Sequence, residues 1–171
     1  MSKVILMNLK KALQTALDFE KRGREVYQKA ASNTKNPLVK KIFSYLSDQE
    51  LNHIYEIKEF IEWEHPDIDL KGDTMEGVQD FFKKEMKNFK KKTTLSDDDI
   101  KAYEAGLELE KTAYNYYKEN SAMVDDSDVI KFFKFLMEQE NAHYELISKA
   151  YEYAKNPVGF YTEEEGWVVE G

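Results

Sequence analysis

The sequence predicts an all-α fold: a four-helix bundle built from two antiparallel helix pairs with a long crossover. Three observations predict it. Only seven glycines and three prolines interrupt the 171 residues. Four long segments place apolar residues at the helical period of 3.6. The first helix pair also matches the second, without gaps, when the chain is shifted by 90 residues, as from Glu20 to Glu110. The length and the 42% hydrophobic content fit a single domain, residues 1–171.

The first helix pair spans about residues 8–65. Its first segment runs from about Asn8 to Ser32 and ends at a polar break. The second runs from Pro37 to about Glu64, because proline fits the first helical turn, where its missing N–H is not needed. Pro66 then ends the helix.

A crossover follows at about residues 66–95, and its middle, Met75–Lys91, has the pattern of a short amphipathic helix. The second helix pair then spans about residues 96–155. Ser96 can cap the third main helix, which runs to about Asn120. The fourth runs from about Val129 to Lys155.

The tail, residues 156–171, is expected to be irregular. Its aromatic residues are expected to fold back onto the bundle, namely Phe160, Tyr161 and Trp167.

Charge and cysteine content exclude several function classes. A net charge of −8 argues against nucleic acid as a partner, because phosphate binding needs a basic surface. The absence of cysteine excludes disulfides, thiolate metal sites and thiol nucleophiles. The N-terminal apolar run Val4–Met7 is short and lacks a cleavage site, so we expect a cytoplasmic protein without a membrane partner.

The repeat preserves six side chains that can bind metals. Glu20 falls on Glu110, Glu50 on Glu140, and His53 on His143. All four glutamates lie about 15 residues from the centre of their interhelical turn, near Lys35 or Asp125, so an antiparallel hairpin brings them to one level.

The negative charge of four carboxylates inside apolar helix faces must be neutralised, because an unpaired buried charge costs on the order of several kcal/mol. Two divalent cations would neutralise them. In Glu-x-x-His both side chains share one helix face, so the glutamate can bridge two metals while the histidine binds one. Oxygen-rich ligation suits iron or manganese better than zinc. The residues therefore predict two ions of iron or manganese.

A lone Glu-x-x-His motif is weak support for a metal site. Glu62 and His65 have the same spacing, but His65 precedes a proline and falls on Lys155 in the repeat, so we interpret it as a surface or capping residue. Tyr27 and Tyr117 are either core residues or hydrogen-bond partners of a ligand carboxylate in the opposite hairpin. Small residues at Gly23 and Ala113 allow either close helix packing or access for a small oxidant.

Glu20, Glu110 and the two Glu-x-x-His motifs at Glu50 and Glu140 resemble the diiron site of the ferritin-like superfamily, and most closely rubrerythrin-type proteins. The likeness covers about residues 8–155. It implies two iron ions, with manganese or mixed metals as alternatives. By the same resemblance Glu50 and Glu140 bridge the metals, and Glu20 and Glu110 are terminal ligands. Such proteins commonly dimerise, so a homodimer is expected.

The resemblance implies an oxidoreductase that reduces hydrogen peroxide or dioxygen. Rubrerythrins typically carry a cysteine-ligated iron domain that delivers electrons; this chain lacks cysteine, so its electron donor would be another protein. They also typically have a glutamate one turn after the third-helix ligand, where this chain has Ala113. Two alternatives stay open: a ferroxidase or metal-binding protein without peroxide turnover, and a helical interaction module without catalysis.

Overall fold

A computed structural model of the chain describes residues 3–62, 72–88, 94–157 and 160, with side chains described from residue 9 onward. Five helices and no strand occur in these ranges. They are α1 (Lys3–Asn33), α2 (Pro37–Glu62), α3 (Met75–Asn88), α4 (Asp97–Met123) and α5 (Ser127–Lys155). The all-α prediction is therefore confirmed.

Local capping explains where three of the long helices begin. Asn36 Oδ1 accepts the backbone N–H groups of Leu38 and Val39 at the start of α2. Ser96 and Asp99 form a capping box at the start of α4, and Asp126 caps α5. Each cap satisfies N–H groups that have no partner within the helix.

Two helix starts differ from the sequence-based expectation. Helix α1 begins at Lys3 rather than near Asn8, since no glycine or proline interrupts residues 3–8. Helix α5 begins at Ser127 rather than near Val129. The Asp126 side chain, just before the helix, accepts the backbone N–H groups of Asp128 and Val129 and so caps it.

Four of the helices form the bundle. Helix α1 packs along α2 and α4 along α5, while α1 also contacts α4 and α2 contacts α5. Thr34, just after α1, donates a hydrogen bond to Asp99 in the first turn of α4. Near the other end, the Tyr116 hydroxyl donates to the carbonyl of Ala12. Helices α1 and α4 are therefore antiparallel.

The core has two apolar clusters, one on each side of the middle of the bundle. One is built around Tyr27, Phe43 and Ile147. The other is built around Tyr117, Phe133 and Ile57. The 90-residue repeat relates these two sets of three, so each helix pair contributes equivalent residues to opposite halves of the core.

Helix α3 lies in the crossover and packs against α5. Phe82 of α3 contacts Tyr153 and Phe160 edge to face, with ring centroids 6.4 and 5.9 Å apart. The Phe160 N–H donates a hydrogen bond to the carbonyl of Asn156. Phe160 thus folds back as expected.

Three other residues of the sequence-based interpretation, His65, Tyr161 and Trp167, lie outside the described residues. Among the described helices, none combines the length and the apolar character needed to cross a membrane.

Candidate metal centre

All six candidate ligands lie inside the bundle, between the two apolar clusters. Helix α1 contributes one glutamate, α4 another, and α2 and α5 each contribute a glutamate and a histidine. Each of the six side chains is at most 3% exposed: Glu20, Glu50, His53, Glu110, Glu140 and His143. The four glutamates, which the sequence predicts at one level of the bundle, therefore lie in one compact cluster with the two histidines.

The two histidines direct Nδ1 toward the carboxylates. His53 Nδ1 lies 3.0 Å from Glu20 Oε2 and 3.8 Å from Glu140 Oε1. His143 Nδ1 lies 3.5 Å from Glu50 Oε1 and 3.8 Å from Glu110 Oε2. Each imidazole thus meets carboxylates of both hairpins. The two rings stack with their centroids 5.2 Å apart.

The ligand atoms fall into overlapping groups that could each hold a metal ion. One group is Glu20, His53 and Glu140, and another is Glu50, Glu110, Glu140 and His143, with the atoms of each group within 4.8 Å of one another. Glu140 belongs to both groups, as a bridging carboxylate would. Glu50 also occurs in a third group with both histidines.

Several buried polar atoms of the cluster have no hydrogen-bond partner among the described residues. They are Glu110 Oε2, Glu140 Oε1, His53 Nε2 and both ring nitrogens of His143. Buried polar atoms without partners are rare in folded proteins. Carboxylate oxygens and imidazole nitrogens are ligands for iron and manganese, so the unpaired atoms fit a pair of such ions.

The carboxylates also carry strongly shifted pKa values. Burial, together with the charges of neighbouring glutamates, raises the pKa of Glu50 and Glu140 well above the ordinary value. For Glu110, burial raises the pKa to about 6 against the opposing hydrogen bonds of Glu140 and Tyr27. For Glu20, burial acts upward, but interactions with Glu50, His53 and Tyr117 lower the pKa to about 2.

The two histidines shift in opposite directions. Burial opposes the charged form of His53, but the charge of Glu20 and the hydrogen bond to it raise its pKa overall. Burial and the positive charge of His53 lower the pKa of His143 to about 3. Without metal, these shifts favour the protonated forms of Glu50, Glu140 and His53 and the neutral form of His143.

Two tyrosines hydrogen-bond to Glu20 and Glu110 from the opposite hairpin. The Tyr27 hydroxyl donates to Glu110 and the Tyr117 hydroxyl donates to Glu20, and both tyrosines are fully buried. The sequence left this role open beside a purely apolar one; both hydrogen bonds are present in the structure. Each fixes the orientation of a carboxylate that would bind metal.

A small cavity reaches the four glutamates between α1 and α4. Its volume is about 10 Å³, and it is lined by Phe19 and Gly23 of α1 and by Leu109 and Ala113 of α4. This is roughly the space for one water molecule. A Cβ on Gly23 would lie 3.3 Å from Glu50 Cδ. The small residues therefore make room for the Glu50 carboxylate and line the approach to the site.

Two features of the site were not anticipated from the sequence. Phe19 and Leu109 are equivalent in the 90-residue repeat and are half-buried beside the cavity. Glu56 lies half-buried one turn after His53, and its Oε2 is buried without a partner. Glu56 could have been found as a mismatch in the repeat, where its counterpart is Leu146.

Comparison with known families agrees with this site. The Rubrerythrin family model matches residues 11–151, which includes all six candidate ligands. No curated protein and no solved structure matches the chain significantly. Because the family model covers most of the chain and its buried carboxylate and histidine groups could hold metal, the chain belongs to the rubrerythrin family.

Proposed function

We propose that the protein is a dinuclear metal oxidoreductase that binds two iron ions and reduces hydrogen peroxide or dioxygen. The observation that supports this most directly is the buried cluster of four glutamates and two histidines. Several of its polar atoms have no partner within the described part of the chain. Glu20 and Glu110 would be terminal ligands, while Glu50 and Glu140 would bridge. His53 and His143 would each bind one ion.

Two ferrous ions at this position would supply the two electrons that, with two protons, convert hydrogen peroxide to two molecules of water. The protein residues hold and shield the reaction site. The cavity between α1 and α4 admits only a small oxidant to the carboxylate side of the cluster. The apolar clusters on either side exclude bulk water from the ligands.

Electrons would come from a separate donor protein, because the chain has no cysteine with which to bind a rubredoxin-like iron. A homodimer is also part of the proposal. Light scattering of the purified protein tests the dimer; a monomer at all working concentrations would remove this part of the proposal and leave the metal chemistry unaffected.

The first experiment is a metal analysis of native protein, followed by anaerobic reduction and separate mixing with hydrogen peroxide and with dioxygen. The optical spectrum reports oxidation of the metals. We expect two metals per chain and faster oxidation by peroxide. Glu140→Gln should lose metal, whereas Glu138→Gln, an exposed neighbour on α5, should retain both.

Ferroxidase activity is the second candidate function. Ala113 occupies the position where rubrerythrins typically have an additional glutamate, which leaves a more symmetric set of six ligands. Fast oxidation by dioxygen beside slow oxidation by peroxide would favour this candidate over the peroxidase.

A non-catalytic interaction module makes a different prediction for Glu50→Ala. If no metal binds, removing one buried carboxylate relieves repulsion and stabilises the protein. If two metals bind, the same change removes a bridging ligand and lowers the unfolding temperature of the metal-loaded protein.

A further inference from the structure

One difference between the two halves of the candidate metal centre lies one turn after a candidate histidine ligand. Glu56 lies on α2 one turn after His53, and the equivalent position after His143 on α5 is Leu146. Leu146 is 1% exposed and packs in an apolar cluster. A carboxylate in one half thus stands where the other half has a hydrocarbon side chain.

The outer nitrogen of His53 has no hydrogen-bond partner, although it is buried. Nδ1 faces the ligand carboxylates, 3.0 Å from Glu20 Oε2. Nε2, on the far side of the ring, is unpartnered among the described residues, and so is Glu56 Oε2. Side chains three residues apart on a helix are neighbours on its surface.

The electrostatic environment of Glu56 includes two residues of the cluster. Burial raises its pKa to about 7, the charge of His53 acts in the opposite direction, and the charge of Glu20 adds to the rise. Glu56 therefore interacts with His53 and with a candidate ligand of the same half of the site.

We propose that, after a change of side-chain rotamer, Glu56 accepts a hydrogen bond from Nε2–H of His53, so that the metal position of His53 binds a divalent cation more tightly than that of His143. This inference rests on the proposed metal function. A carboxylate on the outer nitrogen leaves Nδ1 free to ligate and makes the imidazole more basic. It also adds negative charge to one half of the centre. Leu146 can do neither for His143.

The consequence is ordered loading. At one equivalent of metal, the ion occupies the position of His53, and the position of His143 fills with the second equivalent. Glu56 is a positioning residue here, since it acts on the metal through His53.

The test is calorimetric titration of the metal-free protein with Co²⁺ at pH 7, for wild type, Glu56→Leu, Glu56→Gln and Glu59→Leu. Glu56→Leu makes the α2 half equivalent to the α5 half. Glu59→Leu removes the same charge from an exposed position on α2 and is the matched control. Wild type should bind two ions with distinct affinities. Glu56→Leu should weaken the tighter event about 10- to 100-fold.

Glu56→Gln keeps an acceptor oxygen and should lie between wild type and Glu56→Leu, while Glu59→Leu should stay within about threefold of wild type. Anomalous diffraction at one equivalent of Co²⁺ assigns the tighter position, which should be beside His53. Equal affinities in wild type, occupancy beside His143, or an unchanged tighter event in Glu56→Leu would overturn the inference. Failure of wild type to bind two ions would instead refute the proposed metal function.

Unfolding of the metal-free variants excludes a purely structural role. Glu56 is a half-buried carboxylate with a raised pKa, so replacing it by leucine should leave the unfolding temperature of the metal-free protein unchanged or higher. A structural role would lower that temperature in parallel with Co²⁺ affinity, and such a parallel loss would also overturn the inference.

Discussion

Tyr27 and Tyr117 show how a single hydroxyl can act at the metal centre from the opposite helix pair. Each phenol donates to a carboxylate that is buried with it. A hydrogen bond to a charged group contributes about 1.5–3 kcal/mol, and losing it also frees the carboxylate to rotate. Both effects act on Glu110 and Glu20, the proposed terminal ligands.

Tyr117→Phe should therefore weaken metal binding about 10-fold or more, since partners of ligand side chains typically contribute that much. Tyr116→Phe is the matched control, because its hydroxyl is bonded to the backbone carbonyl of Ala12 and not to a ligand. Titration with Co²⁺ measures both variants. Equal affinity of Tyr117→Phe and Tyr116→Phe would contradict a role for the phenol at the metal site.

Ala113 lines the cavity through which a small oxidant would reach the metals. Ala113→Val adds two methyl groups at a cavity of about 10 Å³ and should slow oxidation of the reduced metals by hydrogen peroxide while two metals stay bound. Ala105→Val makes the same change at an exposed position of α4 and has the same helix-propensity cost. Stopped-flow spectra compare the two. An equal rate in both variants would place the oxidant's approach elsewhere.

The positions of the helix ends determine the height along the bundle axis at which the candidate ligands lie. Asn36 is 5% exposed, and its side chain caps α2, which carries Glu50 and His53. Asn36→Ala should lower the free energy of unfolding by about 1 kcal/mol, within the 0.5–2 kcal/mol range of helix N-caps. Asn36→Asp keeps the acceptor and should retain most of it. Denaturant titration distinguishes them, and an equal loss in both variants would exclude capping as the cause.

Local signals made the helix ends predictable. Pro37 and Ser96 act through the few N–H groups beside them, so their effect can be inferred from sequence. The starts of α1 and α5 lie earlier in the chain than the sequence predicts, because α1 has no glycine or proline at residues 3–8 and Asp126 caps α5. The partner of each tyrosine was foreseen only as an opposite-hairpin carboxylate, because the pairing depends on which helices are adjacent.

Across the whole molecule, the 90-residue repeat predicts the six-residue cluster, but it does not predict how the two halves of the cluster differ. Matching positions reveal what both halves share, so Glu20 and Glu110 were found together. The mismatch of Glu56 with Leu146 is visible in the sequence, but the burial of Glu56 Oε2 is evident only in the folded chain. The cavity lined by Phe19 and Leu109 likewise depends on the packing of α1 against α4, which neither sequence segment encodes alone.

The whole bundle also couples its stability to protons through the metal centre. Without metal, Glu50 and Glu140 have raised pKa values and Glu110 titrates at about 6, so the folded state holds protons that the unfolded chain releases near pH 4.5. The raised pKa of His53 acts in the same direction. The pKa of His143, lowered to about 3, acts in the opposite direction below pH 6.5 but accounts for a single proton.

The free energy of unfolding of the metal-free protein should therefore fall as the pH rises from about 5 to 7, because the folded state binds more protons than the unfolded state. Each net proton corresponds to about 1.4 kcal/mol per pH unit. The metal-loaded protein should show the opposite slope, since metal binds only the deprotonated ligands and binding stabilises the folded state. Urea denaturation at a series of pH values, with chelator or with saturating Mn²⁺, measures both slopes. Parallel slopes would mean that the buried carboxylates do not exchange their protons for metal.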